Sequence, residues 1–327
     1  MERLLLYLGL TLLLIVVFTY LRVKCSPTYE QKPDEIVERK PGNRFLGPPK
    51  SALPEAQIDL DFALLSQAAY DQTPYGIDNP MPNTRSAETD LVARGWSMWP
   101  PFGENRGLPQ KLQGAHLRVQ VWINGSENAV VVTFGGTVVG NKKDWISNLR
   151  WFIPFHEDEY TETVQLFNPA FAEEFVNNIG AKMSDPGSVK LYSTGHSLGG
   201  GLAQQFAYSL PLRPNVPRVT KVYAFDPSPV TGYFSVNSKI RRANRTGLLI
   251  DRIYERGEIL AYVRSITTFV HVPSAKNAEI RQIRYNLFYS VNPFKGHSIA
   301  ELAAQMWDLV HPSTVAARPV WRRPKMW

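Results

Sequence analysis

The sequence predicts an α/β fold: a mainly parallel central sheet with helices on both faces, preceded by an N-terminal transmembrane helix. Three observations predict it. Strand-like and helical segments alternate through SVKLYST (188–194), GLAQQFAYSL (201–210) and RVTKVYAF (218–225), the pattern of crossover-connected parallel strands. Gly195-His196-Ser197-Leu198-Gly199 stands where the first of these strands gives way to a helix. Residues 4–21, LLLYLGLTLLLIVVFTYL, carry no charge, and as a helix they extend roughly 27 Å, close to the thickness of a bilayer core.

That apolar run marks the first of three expected regions: an anchor at 1–25, a Pro-rich tether at 26–54 and an α/β domain at 55–327. Tyr7 and Tyr20 lie near the ends of the run, and Arg22 and Lys24 stop it. A cleaved signal peptide is the competing reading, but the run is long for one, and bulky charged residues follow where small ones precede a cleavage site. The expected location is therefore a membrane, single-pass. The flanking charges place the body in the cytoplasm, although large domains translocate regardless of such flanks. Pro27, Pro33, Pro41, Pro48, Pro49 and Pro54 give the following segment its tether-like composition.

The body has the composition of a packed protein. Hydrophobic residues make up 44% of the 327, and 36 Lys and Arg against 29 Asp and Glu leave +7, which excludes disorder for most of the chain. A lone cysteine, Cys25, excludes an intrachain disulfide and Cys-rich metal frameworks. The histidines lack paired helical spacing, and no phosphate-binding or nucleic-acid motif occurs. Neither a metal, a cofactor nor a nucleic-acid partner is expected.

Along the body, LDFALLSQAAY (60–70) has helical spacing, and Pro74, Gly76 and Pro80 break it. Residues 116–123 alternate, Asn124-Gly125 turns, and AVVVTF (129–134) follows as a strand buried on both faces. Asn168 and Pro169 open a helix whose Phe171, Phe175 and Ile179 share one face. IAELAAQMWDLV (299–310) is a last amphipathic helix.

A serine between a strand and a helix, flanked by glycines, is the nucleophile elbow. The turn forces the serine into a strained backbone conformation and lifts its hydroxyl off the sheet edge. The helix N-terminus aims N–H groups, Leu198 among them, at developing negative charge. An ordinary hydroxyl needs a base, and the chain order Ser, acid, His leaves His271, His297 and His311 of the six histidines. His297 is favoured, because it occupies a Gly-marked loop directly before a helix.

With GHSLGG at 195–200, the strand end Thr133-Phe134-Gly135-Gly136-Thr137 and the segment Asp144-Trp145-Ile146-Ser147-Asn148-Leu149, the chain resembles the class 3 lipases over about residues 60–310. These are a branch of the α/β hydrolases that includes fungal triacylglycerol lipases. The resemblance implies Thr137 and Leu198 as oxyanion donors and a lid from Asp144 into Trp151, Phe152, Ile153 and Phe155, a stretch that reads equally well as core. It also implies an acid matched best by Glu258, in Tyr254-Glu255-Arg256-Gly257-Glu258-Ile259-Leu260, where the family carries Asp. Asp226, ending a predicted strand, is the rival. The expected protein is a membrane-anchored serine hydrolase acting on lipid or other apolar acyl esters through Ser197, His297 and Glu258. Acyl transfer at the same site and a silent hydrolase-fold interaction module are the alternatives.

Overall fold

The computed structural model describes residues 30–41, 43, 46–71, 87–100, 108, 111–112, 117–136, 160, 163–228, 231–258, 260, 278–288 and 296–312. Its elements in chain order are β1 (Glu35–Arg39), β2 (Lys50–Ser51), α1 (Leu53–Asp71), α2 (Ala87–Ala93), β3 (Ser97–Met98), β4 (Val119–Asn124) and β5 (Ala129–Phe134). There follow α3 (Asn168–Glu174), β6 (Lys190–His196), α4 (Leu198–Ser209), β7 (Val219–Phe225), α5 (Ser238–Asn244), β8 (Leu249–Glu255), β9 (Glu279–Asn286) and α6 (Ile299–Val310). Among the described residues nine strands form one sheet in the order β2-β1-β9-β8-β7-β6-β5-β4-β3.

The sheet is mixed, which corrects the expectation of a mainly parallel one. Pairings from β5 through β9 are parallel, while β3–β4, β4–β5, β1–β9 and β1–β2 are antiparallel. The physical reason lies in the connections. A short turn joins β4 to β5 and can only reverse the chain, whereas the parallel strands are joined by long crossovers. β1 returns from the N-terminal side to cover β9, so residues 35–39 and 50–51, inside the segment expected as a tether, are strands of the sheet.

Both faces are covered. Phe134, Leu191, Val222 and Ile250 pack with Phe171 of α3, Phe175 in the π-helical turn that follows it and Phe206 of α4 on one side. Val131, Phe225, Ile253 and Ile283 pack with Leu60 and Leu64 of α1 and Ile299 and Met306 of α6 on the other. This explains why AVVVTF is buried at every position and apolar at all but Thr133: each face of β5 meets a helical layer. Asn168 differs from the expected helix cap. The helix starts earlier through a π-helical turn at Thr163–Phe167, and the Asn168 amide donates instead to Ser209 Oγ at 2.7 Å.

The transmembrane expectation is corrected as well. Among the described residues no helix is long and apolar enough to cross a membrane, and the run at 4–21 lies outside them. α1 has the length, at 19 residues, but carries Glu55, Asp59, Asp61 and Asp71, and its apolar side is buried against the sheet. The fold therefore stands as an α/β hydrolase with a mixed sheet. The single-pass location, the membrane partner and the anchored form of the function are withdrawn with the helix.

Candidate active site

The site is assembled at the carboxyl ends of β6, β7, β8 and β9, where open α/β sheets place their chemistry. β6 runs to His196 and α4 begins at Leu198, leaving Ser197 alone in the bend with φ 57° and ψ −121°. Left-handed φ on a residue with a side chain is strained, and the surroundings hold it there. Ser197 N–H donates to Phe225 O at 3.0 Å, and Ser197 O accepts from Gly200 N–H at 3.1 Å and Ser228 N–H at 2.9 Å. The bend also demands glycine at 195 and 199. A Cβ at Gly195 would fall on the Gly199 carbonyl, and one at Gly199 on the carbonyl of Phe134 in β5.

His297 Nε2 lies 3.1 Å from Ser197 Oγ, and His297 Nδ1 lies 3.0 Å from Glu258 Oε2. A carboxylate accepts, so Nδ1 carries the hydrogen and Nε2 is left as the acceptor facing the serine hydroxyl. Glu258 is fully buried and follows β8 through a tight turn in which Gly257 takes φ 82°. Its Oε2 also accepts from Leu260 N–H at 2.8 Å. His297 stands immediately before α6, whose N-cap Ser298 accepts from Glu301 N–H at 3.4 Å. Leu198 opens α4, so its N–H is among the helix N-terminal donors that have no intrahelical acceptor.

The structure thus brings Ser197, His297, Glu258 and Leu198 together. Thr137, His271 and the lid-like run from Asp144 to Phe155 lie outside the described residues. His311 sits at the far end of α6, stacked on Trp307 with ring centroids 4.3 Å apart. Asp226 is fully buried and has φ 40°, but its neighbour is the elbow histidine: Oδ2 lies 3.8 Å from His196 Nε2. His196, Asp226 and His297 are the grouping with metal-ligand proximity among the described residues. His196 already engages both ring nitrogens, with Tyr70 and with the His297 carbonyl. Tyr70 escapes sequence reasoning altogether, since it ends a helix 126 residues before its partner and belongs to no motif.

A further buried acid, Glu255, closes β8 and accepts Leu287 N–H at 3.2 Å from each carboxylate oxygen. Burial, with a smaller push from Asp226, raises its pKa from 4.5 to about 8. The folded protein therefore keeps a proton that the unfolded chain releases near 4.5. The linked stabilisation is fully present below that value and is lost as pH rises through about 8. Calorimetry is expected to show a melting temperature that declines from pH 5 to 8.5. Glu255→Gln should make this decline shallower, the remainder coming from buried Asp59, which is also raised to about 8, and should melt about 2–4 °C above the parent at pH 8.5. A variant that kept the parental slope would remove burial of Glu255 as its cause.

Sheet, elbow and the Ser–His–carboxylate contacts together define an α/β-hydrolase fold carrying the arrangement of a serine hydrolase. Residues 61–210, somewhat under half of the chain, match a family described as phospholipase-like, the Tle-like phospholipase domain. Comparison with curated proteins finds no match. Among solved structures the chain is similar to the Rhizomucor miehei lipase propeptide complex, at 15% identity and TM-score 0.44. That alignment covers 69% of this chain and 65% of the other, so the chain spans slightly less than two thirds of that relative's length. It is also similar to lipase II from Rhizopus niveus, at 13% identity and TM-score 0.39, covering 71% and 79%. A lipase from Rhizopus microsporus var. chinensis matches at 15% identity and TM-score 0.41, covering 64% and 69%.

Proposed function

We propose that the chain hydrolyses carboxylic esters of lipid-type acyl groups, with Ser197 as nucleophile, His297 as general base and acid, and Glu258 as the carboxylate that orients the imidazole. One observation carries this reading: a strained elbow serine 3.1 Å from an imidazole nitrogen whose other nitrogen is 3.0 Å from a buried carboxylate. Ser197 Oγ attacks the acyl carbon while His297 Nε2 takes the hydroxyl proton, and Glu258 stabilises the imidazolium that results. The oxyanion forms beside the N-terminus of α4, where Leu198 N–H donates, and Thr137 is the second donor in this reading. The alcohol leaves with the proton from His297. A water, deprotonated by the same ring, then cleaves the acyl-enzyme and restores Ser197.

The phospholipase-like match over residues 61–210, which includes the elbow, supports a phospholipid as the ester to try first. A fluorophosphonate probe is expected to label the purified parent and to leave Ser197→Ala unlabelled. The parent should also release fatty acid from phospholipid dispersed in detergent. A parent that resists the probe, or equal labelling of both proteins, overturns the reading.

A further inference from the structure

We propose that Tyr70 and His196 form a bridge that holds two sides of the reaction centre in register, with His196 as a positioning residue for His297. This rests on the Ser197–His297 reading above. His196 is the residue before the nucleophile, and its ring, with 1% exposure, lies between Tyr70 of α1 and the ring of His297, whose centroid is 4.8 Å away. Its Nε2 is 2.9 Å from the backbone oxygen of His297, and its Nδ1 is 2.9 Å from the Tyr70 hydroxyl. A carbonyl oxygen only accepts, so Nε2 carries a hydrogen and donates it to the main chain of the base. In the neutral ring Nδ1 then accepts from the Tyr70 hydroxyl.

The bridge continues beyond Tyr70. The tyrosine oxygen accepts the Gly136 N–H, and burial holds its pKa well above the ordinary value of 10.0, so the hydroxyl keeps its proton as a donor. Gly136 lies two residues past the end of β5, and a Cβ there would overlap the Tyr70 hydroxyl, which is why the position is glycine. Four segments are thereby linked in sequence: the exit of β5, the last turn of α1, the end of β6 and the loop that presents His297. The His297 ring must satisfy two partners at once, and its main chain precedes α6 by only one residue. The hydrogen bond to its carbonyl fixes the point from which the ring projects. Displacing a catalytic group by about 1 Å costs on the order of 10²-fold in rate, so the bridge should govern turnover more than binding.

The full chain is assayed with p-nitrophenyl butyrate, and the rate of fluorophosphonate labelling is measured in parallel. His196→Leu is expected to lower kcat about 10²-fold with KM within about twofold, and to slow labelling by a similar factor. His196→Gln keeps an N–H near the place of Nε2 and should recover about tenfold of that loss. Tyr70→Phe, which removes one oxygen, should lower kcat about tenfold. A folded His196→Leu protein with parental kcat, a loss confined to KM, or a glutamine variant no better than leucine each overturns the bridge. If the leucine variant does not fold, parental kcat in Tyr70→Phe overturns it. Ser197→Ala, run alongside, separates the two ideas. Turnover surviving in that variant defeats the nucleophile reading, whereas its loss together with parental rates in the His196 and Tyr70 variants defeats the bridge alone.

Discussion

Ser197→Ala protein is expected to hydrolyse p-nitrophenyl butyrate about 10⁴-fold or more slowly than the parent while melting at nearly the same temperature. Alanine keeps the Cβ, so the strain of φ 57° is unchanged, and the backbone bonds to Phe225, Gly200 and Ser228 survive. Only the oxygen 3.1 Å from His297 Nε2 is removed. Steady-state rates on the purified variant decide the matter, and retention of more than about a tenth of parental kcat/KM would place the nucleophile elsewhere.

The second large effect falls on Glu258. Glu258→Gln preserves size but removes the charge that stabilises imidazolium and weakens the preference for hydrogen on Nδ1. A loss of about 10³- to 10⁴-fold in kcat is expected, in line with the handling of the analogous carboxylate in serine proteases. Asp226→Asn should change kcat less than tenfold, because its carboxylate faces His196 at 3.8 Å while His297 Nδ1 is taken by Glu258. Measured side by side, a greater loss in the asparagine variant would transfer the acid's role to Asp226.

How far the sequence reveals this molecule depends on the range of the interaction involved. The elbow is legible because its constraints are local: Gly195 and Gly199 answer to backbone crowding within a few residues and to one neighbouring strand. The strand buried on both faces is legible from a nearly continuous apolar run, interrupted by Thr133. Glu258 was harder to separate from Asp226, since both follow strands at the same sheet edge and both are fully buried. Only the turn at Gly257, which swings Glu258 toward the histidine loop, distinguishes them. Tyr70 had no local signature, because its value comes from a partner brought near by folding. β1 was hidden by composition: Pro33 and Pro41 lie just outside EIVER, and the pairing that makes it a strand is with β9, some 250 residues away. Strand direction at the edges of the sheet is hidden for the same reason, since it follows from where the chain returns.

β1 also changes where this molecule can be cut. Its five residues pair in register with Gln282–Asn286 of β9, and Arg281 on the same strand binds Asp251, Glu55 and Glu38 together. A chain shortened to start at residue 55 would strip β9 of its outer neighbour and leave an unsatisfied row of amides and carbonyls, an open seam for self-association. Expression boundaries drawn in front of residue 30 keep that seam closed.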